Sequence, residues 1–153
     1  MQLTTSTIEH VQQMLGWFTS KHQLQSWGGP QFRYPFSQQS FIEDIKLDAL
    51  ASYSLTDAQG NCVAFGQFYP RLGCCHLGRL IVSPQHRGQG LGYSWVNQLM
   101  TLGRQQLALS NCSLFVYKDN YQALHVYEKL GFQVADYPQP MPIADCLYMR
   151  LDN

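Results

Sequence analysis

The segment that decides the fold lies in the middle of the chain and reads Leu80-Ile81-Val82-Ser83-Pro84-Gln85-His86-Arg87-Gly88-Gln89-Gly90-Leu91-Gly92. A strand-like apolar run is followed by an arginine, by glycines at alternate positions and by a segment of helical period. Glycine lets backbone N–H groups come close to a ligand, and the first turn of a helix has unsatisfied donors and a positive dipole end. The segment therefore predicts a pyrophosphate site, to which Arg87 adds positive charge.

Two familiar phosphate-binding loops do not fit this segment. The P-loop requires a lysine after its glycines, and none follows here. The dinucleotide fingerprint Gly-x-Gly-x-x-Gly has a different spacing from Gly88, Gly90 and Gly92 and belongs near the first strand of its fold. A glycine-rich turn without a ligand remains the alternative interpretation.

The segments on either side alternate between strand and helix patterns. Strands are predicted at 2–5, 51–56, 62–69, 74–82, 112–117, 132–137 and 143–151. Helices are predicted after Ser6, at 38–47, from the turn at 88–92 to 109, and at 120–130. Ser6 and Glu9 have the spacing of a capping box, and the alternation in 51–56 predicts a half-buried strand. The order predicts a mixed α/β sheet with helices on both faces.

Composition is typical of one globular domain. The 153 residues are predicted to form a single domain, and 45% hydrophobic with 13% charged residues excludes a disordered chain. Ten basic residues balance ten acidic ones, which argues against broad nucleic-acid binding. The five cysteines lie mostly in apolar stretches and predict reduced core residues in a cytoplasmic protein. No apolar run approaches the roughly 18 residues of a membrane span, and the polar start is not a signal peptide.

Two motifs together resemble one known family. The pattern Val82-x-Pro84-x-x-Arg87-Gly88-x-Gly90-x-Gly92 is similar to the acyl-CoA-binding signature of the GNAT superfamily of N-acetyltransferases. The pattern Asn120-x-x-Ala123-x-x-x-Tyr127-x-x-Leu130-Gly131-Phe132 resembles the second motif of the same family. Motif spacing and element order also match, so the resemblance covers nearly the whole chain. It implies a sheet of about seven strands, splayed between the fourth and fifth, with acetyl-CoA as co-substrate in that cleft and no metal.

The resemblance also implies which residues hold acetyl-CoA. The pantetheine arm would pair with the main chain of Leu80, Ile81 and Val82. The pyrophosphate would rest on the backbone N–H groups of Arg87, Gly88, Gln89, Gly90, Leu91 and Gly92. Asn120 would hydrogen-bond the pantetheine arm, and Tyr127 would lie near the sulfur and protonate the leaving thiolate. Core packing is the alternative for Tyr127, because it lies at helical spacing from apolar residues.

The base is predicted at His76, acting directly or through water. Many relatives carry a glutamate six residues before the Val of Val-x-Pro, which is His76 here, and others carry one at the position of Phe115. Histidine is a workable base near neutral pH, whereas phenylalanine is not. The alternatives are a structural sheet histidine and a water chain that carries the proton. Cys74 and His76 share one face of a strand, but two ligands do not make a zinc site, so no metal is predicted.

The aromatic-rich segment 27–36 is predicted to help form the acceptor pocket, because the family commonly uses the segment between its first two helices in this way. Its candidate residues are Trp27, Phe32 and Arg33, joined by Tyr117 on the fifth strand. Aromatic side chains exposed on a loop mark recognition surfaces, and Arg33 is suited to meet a carboxylate. The alternative is an ordered loop whose aromatic rings pack under the sheet.

These residues predict an acetyl-CoA-dependent N-acetyltransferase. The acetyl group would pass to a primary amine of a small molecule or of a protein by direct attack in a ternary complex. The alternative is a non-catalytic acyl-CoA-binding sensor or scaffold of the same fold. The amine acceptor is the partner expected, with neither nucleic acid nor membrane, and the chain is expected to be a monomer or a homodimer.

Overall fold

The structure is a computed structural model that describes all 153 residues of the chain. Seven strands form: β1 (Gln2–Thr5), β2 (Ala51–Thr56), β3 (Cys62–Arg71), β4 (Cys74–Val82), β5 (Cys112–Tyr117), β6 (Gln133–Ala135) and β7 (Cys146–Leu151). Five α-helices form: α1 (Ile8–Met14), α2 (Lys21–Gly28), α3 (Gln38–Ile45), α4 (Leu91–Leu107) and α5 (Tyr121–Leu130). Short 3₁₀ turns follow α1 and β4, at Leu15–Trp17 and Pro84–His86.

The strands form one mixed sheet in the order β1-β2-β3-β4-β5-β7-β6, which confirms the predicted fold class. β4 and β5 are parallel, while β1–β2, β5–β7 and β6–β7 are antiparallel. The register of β4 with β5 runs from Cys75–Cys112 to Leu77–Leu114 and ends there. β5 stays paired with β7 as far as Tyr117. The parallel pairing is therefore short, as expected for strands that splay.

The chain packs as two compact units. The first unit comprises Met1–Gln67 and Arg79–Leu91, and the second comprises Phe68–Gly78 and Gly92–Asn153. β3 and β4 each contribute residues to both. The expectation of a single domain over residues 1–153 stays a prediction.

The core of the first unit is rich in aromatic side chains. Its fully or nearly fully buried members are Val11, Met14, Phe18, Leu24, Phe32, Phe41, Ile45, Cys62 and Phe65. α2 was not expected from the sequence, because only Leu24 of this helix is buried and the hydrophobic period is weak. Ser20 caps α2, and its side chain accepts a hydrogen bond from the backbone N–H of Gln23.

Two expectations for the first unit are wrong in detail. The capping box of α1 is formed by Thr7 and His10, one residue after the predicted pair. Ser6 instead lies 2.7 Å from Ser54, hydroxyl oxygen to hydroxyl oxygen. β2 was expected to be half-buried, with its hydroxyl-bearing side chains facing solvent. Its polar side is buried as well, because these hydroxyl groups form hydrogen bonds within the protein, as the Ser6–Ser54 pair shows.

The second unit packs α4 and α5 with the ends of the central strands. The buried face of α4 consists of Trp95, Val96, Leu99, Met100 and Gly103. The side chain of Asn120 caps α5, and the helix ends at Gly131 with a left-handed φ of 105°, in agreement with the helix predicted over 120–130. All five cysteines of the chain are free and buried, as expected. None of the helices is both long and apolar enough to cross a membrane.

Candidate active site

The glycine-rich loop of the first unit leaves the end of β4 through a tight turn. Ser83 is buried, its N–H donates to the carbonyl of Val63 at 2.8 Å, and its hydroxyl lies 2.7 Å from Nδ1 of His86. Arg87 turns back, and its Nε donates to the carbonyl of Val82 at 3.1 Å. These bonds hold both ends of the 3₁₀ turn, so the glycines that follow start from a fixed position.

The glycines after Arg87 adopt a backbone that favours glycine. Gly88 and Gly90 have φ values of 75° and 74°. A Cβ atom built on Gly88, Gly90 or Gly92 would meet nothing within 4 Å, so the space beside these three glycines is open. α4 starts at Leu91 and has no acidic residue in its first turn, which leaves the positive end of the helix dipole unopposed by a local carboxylate.

β4 carries a local irregularity directly before the predicted pantetheine strand. Arg79 has a left-handed φ of 52°, unusual for a residue with a side chain. Its guanidinium donates to the carbonyls of Gly28 and Ile45, the last residues of α2 and α3, and to Oε1 of Gln67. Arg79 thus stabilises two helix C-termini. Leu80, Ile81 and Val82 follow as half-buried residues.

In the second unit, Asn120 is the N-cap of α5. Its Oδ1 accepts from the backbone N–H of Ala123 at 3.3 Å. The amide NH₂ group of the side chain is not used in that cap. Asn120 is thus held by the helix end while keeping donors for another group.

Tyr127 is buried on α5, and its ring meets Phe132 edge-on with centroids 6.0 Å apart. No hydrogen bond to another residue of the chain involves its hydroxyl group. Burial raises the pKa of Tyr127 above its ordinary value of 10, so the phenol stays protonated at neutral pH. Packing and a free O–H donor therefore coexist at this residue.

His76 is 2% exposed in the second unit. Its Nδ1 lies 2.8 Å from the Ser113 hydroxyl, and its ring meets Phe115 edge-on at a centroid distance of 4.7 Å. Burial, with a smaller contribution from the charge of Arg71, lowers the pKa of His76 to about 3. The imidazole is therefore neutral near pH 7, and it is a weak proton acceptor.

Around His76 and Phe115 the second unit carries four further residues, Tyr69, Arg71, Tyr137 and Tyr148, that were not expected from the sequence. We call the whole group the Arg71 cluster; its members are Tyr69, Arg71, His76, Phe115, Tyr137 and Tyr148. The period-2 pattern of β3 places Tyr69 and Arg71 on one face. The hydrogen bond between Arg71 and Tyr137 joins residues that are 66 positions apart in sequence, and no local sequence pattern predicts it.

The predicted acceptor residues are mostly engaged within the protein. Trp27 stacks on Phe41 with centroids 6.0 Å apart, and Phe32 is 1% exposed, so both pack as the loop alternative expected. Arg33 forms a bidentate pair with Asp44 through Nε and Nη2. Tyr117, at the end of β5, is half-buried. Their role towards an acceptor stays a prediction.

The comparison with protein families decides the class of this site. A family model described as the acetyltransferase (GNAT) family matches residues 21–132, which include the glycine-rich loop, Asn120 and Tyr127. The chain belongs to the GNAT family of acetyltransferases. The GNAT match begins with α2 and ends at Phe132, just after α5.

Individual relatives of this GNAT chain match shorter segments. Spermidine N(1)-acetyltransferase of Escherichia coli is 39% identical over 56 residues, which are 37% of this chain and 30% of that protein. An uncharacterized N-acetyltransferase of Schizosaccharomyces pombe is 31% identical over 80 residues, 52% of this chain and 48% of that protein. The matches thus span less than half the length of these curated relatives.

Solved structures match nearly the whole chain. Spermidine N-acetyltransferase of Vibrio cholerae, in complex with CoA and spermine, has a TM-score of 0.73 at 19% identity, with 98% of this chain and 94% of that chain covered. The ribosomal-protein-S18-alanine N-acetyltransferase of Escherichia coli has a TM-score of 0.68 at 21% identity, with 98% and 92% covered. At these identities the likeness shows the GNAT fold.

Proposed function

We propose that this GNAT chain is an acetyl-CoA-dependent N-acetyltransferase that acts on a primary amine. The observation that carries the proposal is the loop from Arg87 to Gly92, whose glycines at positive φ face open space at the start of α4. Family membership supports acetyl transfer, and solved structures of the same fold contain coenzyme A.

The residues of the loop fit the diphosphate of the coenzyme. Backbone N–H groups from Arg87 to Gly92 would bind it, since Gly88, Gly90 and Gly92 have no protein atom near the position of a Cβ and the loop leads into the N-terminus of α4. The main chain of Leu80, Ile81 and Val82 would pair with the pantetheine arm. The NH₂ group of Asn120, free of the helix cap, would donate to that arm.

The reaction requires the protein to polarise the thioester carbonyl, to protonate the thiolate and to remove a proton from the amine. The amine nitrogen attacks the thioester carbonyl carbon, the C–S bond breaks, the ammonium proton leaves, and the thiolate takes up a proton. A backbone N–H of Ile81 or Val82 would polarise the carbonyl oxygen as charge develops. Tyr127 would donate its proton, or a strong hydrogen bond, to the thiolate. Its raised pKa means that the phenol is protonated at neutral pH and is present as a hydrogen-bond donor.

Proton removal from the amine is assigned to water beside His76. The low pKa of His76 makes direct abstraction by the imidazole unfavourable, since an alkylammonium ion binds its proton far more tightly. A neutral imidazole still accepts a hydrogen bond, so His76 would orient the water that carries the proton away. Phe115, the other position at which relatives carry a glutamate, offers no acceptor.

The weak base is also the observation that favours the alternative of a non-catalytic acyl-CoA sensor. Release of the coenzyme thiol from acetyl-CoA in the presence of a panel of primary amines separates the two. Amine-dependent thiol release with a matching acetylated product supports the enzyme. Tight binding of acetyl-CoA in calorimetry without any turnover supports the sensor, and absence of binding contradicts both.

Further expectations remain part of this proposal. We place the protein in the cytoplasm, as a monomer or homodimer with all of residues 1–153 in one domain. The acceptor is an amine of a small molecule or of a protein, and neither nucleic acid nor membrane is a partner. No metal takes part in the reaction as proposed.

A further inference from the structure

The guanidinium group of Arg71 is held in place by tyrosines and aromatic rings. Nε donates to the hydroxyl of Tyr137 at 2.9 Å, and Nη1 donates to the hydroxyl of Tyr69 at 3.1 Å. The guanidinium carbon lies 5.0 Å from the ring centre of Phe115 and 5.8 Å from that of Tyr137. Two hydrogen bonds and two aromatic rings restrain the orientation of the group, so its remaining donors have a defined direction.

No carboxylate neutralises Arg71. The ion pairs of the chain join Arg33 to Glu43 and Asp44, and Arg150 to Asp152. Nη2 of Arg71 has no hydrogen-bond partner in the chain. An arginine is charged at every physiological pH, and a half-buried guanidinium without a counter-ion is suited to receive an anion.

The hydroxyl groups of Tyr69 and Tyr137 add two further hydrogen-bond donors to those of Arg71. Each hydroxyl accepts one hydrogen bond from Arg71 and therefore keeps its own proton for donation. Nη2 and the two phenol protons together form a group of donors without an acidic member. This set matches the oxygens of a carboxylate, which binds best to a planar, forked donor.

The cluster also lies beside the proposed reaction centre. The rings of His76 and Phe115 are 4.7 Å apart between centroids, and Phe115 is the ring that Arg71 covers. Arg71 is also close enough for its charge to contribute, after burial, to the lowered pKa of His76. An acceptor whose amine is near His76 would therefore have its neighbouring atoms near Arg71.

Resting on the proposed function, we infer that the Arg71 cluster is the acceptor subsite for a carboxylate, so that the substrate is a small primary amine that carries a carboxylate group. Polyamines are disfavoured by the same geometry. The aromatic faces that would hold an ammonium group are covered by a guanidinium, and a second positive charge would be repelled.

The test uses the purified protein, acetyl-CoA, and α-, β- and γ-amino acids, each paired with its carboxamide, with spermidine as a further acceptor. For at least one chain length we expect kcat/KM for the acid to exceed that for the amide by about tenfold or more. Arg71→Gln should remove this preference through a higher KM for the acid. Arg71→Lys keeps the charge but loses the fork, and should restore only part of the preference.

Arg150→Gln is the matched control, because it makes the same substitution in the same unit at a guanidinium already paired with Asp152. It should leave the acid-to-amide ratio unchanged. The inference is overturned if amides or spermidine are preferred at every chain length, or if Arg71→Gln leaves the ratio as it was. Thermal melting of each variant shows that loss of activity is not loss of fold.

The inference and the proposed function fail separately. If amines are acetylated without a preference for carboxylates, the enzyme stands and the subsite is wrong. If no amine is acetylated, the proposed function fails, and the subsite is judged by the NMR signal of the Arg71 Nε–H during titration with the amino acids. A saturable shift with the acids that is absent with the amides supports the subsite, and no shift overturns it.

Discussion

His76 and Ser113 face each other across the parallel pair of β4 and β5, with the imidazole Nδ1 and the serine hydroxyl oxygen 2.8 Å apart. The bond satisfies one nitrogen of a histidine that is almost completely buried. A buried histidine with a neutral partner resists protonation, because burial penalises the charged form and the nearby Arg71 adds to the penalty. Burial and the charge of Arg71 thus keep His76 neutral near pH 7.

This relationship predicts a pH-dependent stability. Between the ordinary pKa of 6.5 and the folded-state pKa of about 3, the unfolded chain binds a proton at His76 and the folded chain does not. The contribution of His76 to the free energy of unfolding is therefore complete above pH 6.5 and decreases as the pH falls through this range. Between about pH 6.5 and pH 5 we expect wild type to lose about 2 kcal/mol more than His76→Asn in urea denaturation. The exposed His22→Gln should behave as wild type, and equal losses in all three proteins would contradict the prediction.

The same residue makes a kinetic prediction. If water removes the amine proton, His76→Asn should lower kcat by about tenfold and leave the apparent pKa of the acidic limb of the pH–rate profile where it was. That limb then belongs to the amine itself. A profile whose acidic limb disappears in the variant would identify His76 as the direct base and correct the water assignment.

Tyr127→Phe tests the acid. Removal of one hydroxyl without loss of ring volume should lower kcat by about 100-fold and leave acetyl-CoA affinity nearly unchanged. Because the pKa of Tyr127 is raised, wild type should show no loss of activity from phenol ionisation at moderately alkaline pH. Tyr121→Phe, on the same helix at a 76% exposed position, is the control and should be neutral. If Tyr127→Phe instead abolishes coenzyme binding, the acid role is wrong.

The glycine-rich loop is tested by adding single methyl groups. Gly92→Ala places a Cβ in empty space at the start of α4, where φ favours no particular residue, so the fold should be retained. Coenzyme binding should weaken by about tenfold or more, since the methyl group occupies the space in which the diphosphate would approach the backbone. Calorimetry with coenzyme A measures it.

Gly60 supplies the control for the strained glycines of that loop. Gly60→Ala and Gly90→Ala both put alanine at a positive φ, 82° and 74°, with open space around the new methyl group. Similar losses of stability are expected for the two variants, whereas only Gly90→Ala should also reduce coenzyme affinity. An equal effect of both on affinity would mean that strain, rather than the site, is being measured.

The sequence predicted those features of the fold whose residues lie close together along the chain. Features whose residues are close in sequence, such as the glycine-rich turn before α4 and the end of α5 at Gly131, lie where they were expected, whereas the capping role of Asn120 was not predicted. β2 was judged wrongly, because a period of two shows which residues share a face but not whether partners on both faces satisfy buried hydroxyl groups.

From the sequence, candidate site residues were predicted only where their role depends on neighbours in the same segment of the chain. Arg71 and Tyr137 form a hydrogen bond only because the fold brings them together, and the local sequence around either residue does not predict the other. The pKa of His76 depends in the same way on burial, which a sequence pattern does not show. Arg33 was predicted to bind a carboxylate because of its residue type, and in the structure it pairs with the carboxylate of Asp44 in its own chain.

Gly103 on α4 makes the last prediction, which concerns packing and is independent of any function. A Cβ at this position would lie 2.6 Å from Sγ of Cys75, closer than real contacts allow, and 3.1 Å from the Phe68 ring, which is a tight contact. Gly103→Ala should therefore destabilise the second unit by about 1–3 kcal/mol, although alanine is by itself the better helix former. Gly92→Ala on the same helix meets nothing, so its midpoint in urea should not fall. Cys75→Ala should relieve most of the loss in the double variant, because it removes the sulfur that the new methyl group strikes. If Gly103→Ala were as stable as wild type, α4 would have to pack less closely against Cys75 and Phe68 than the structure shows.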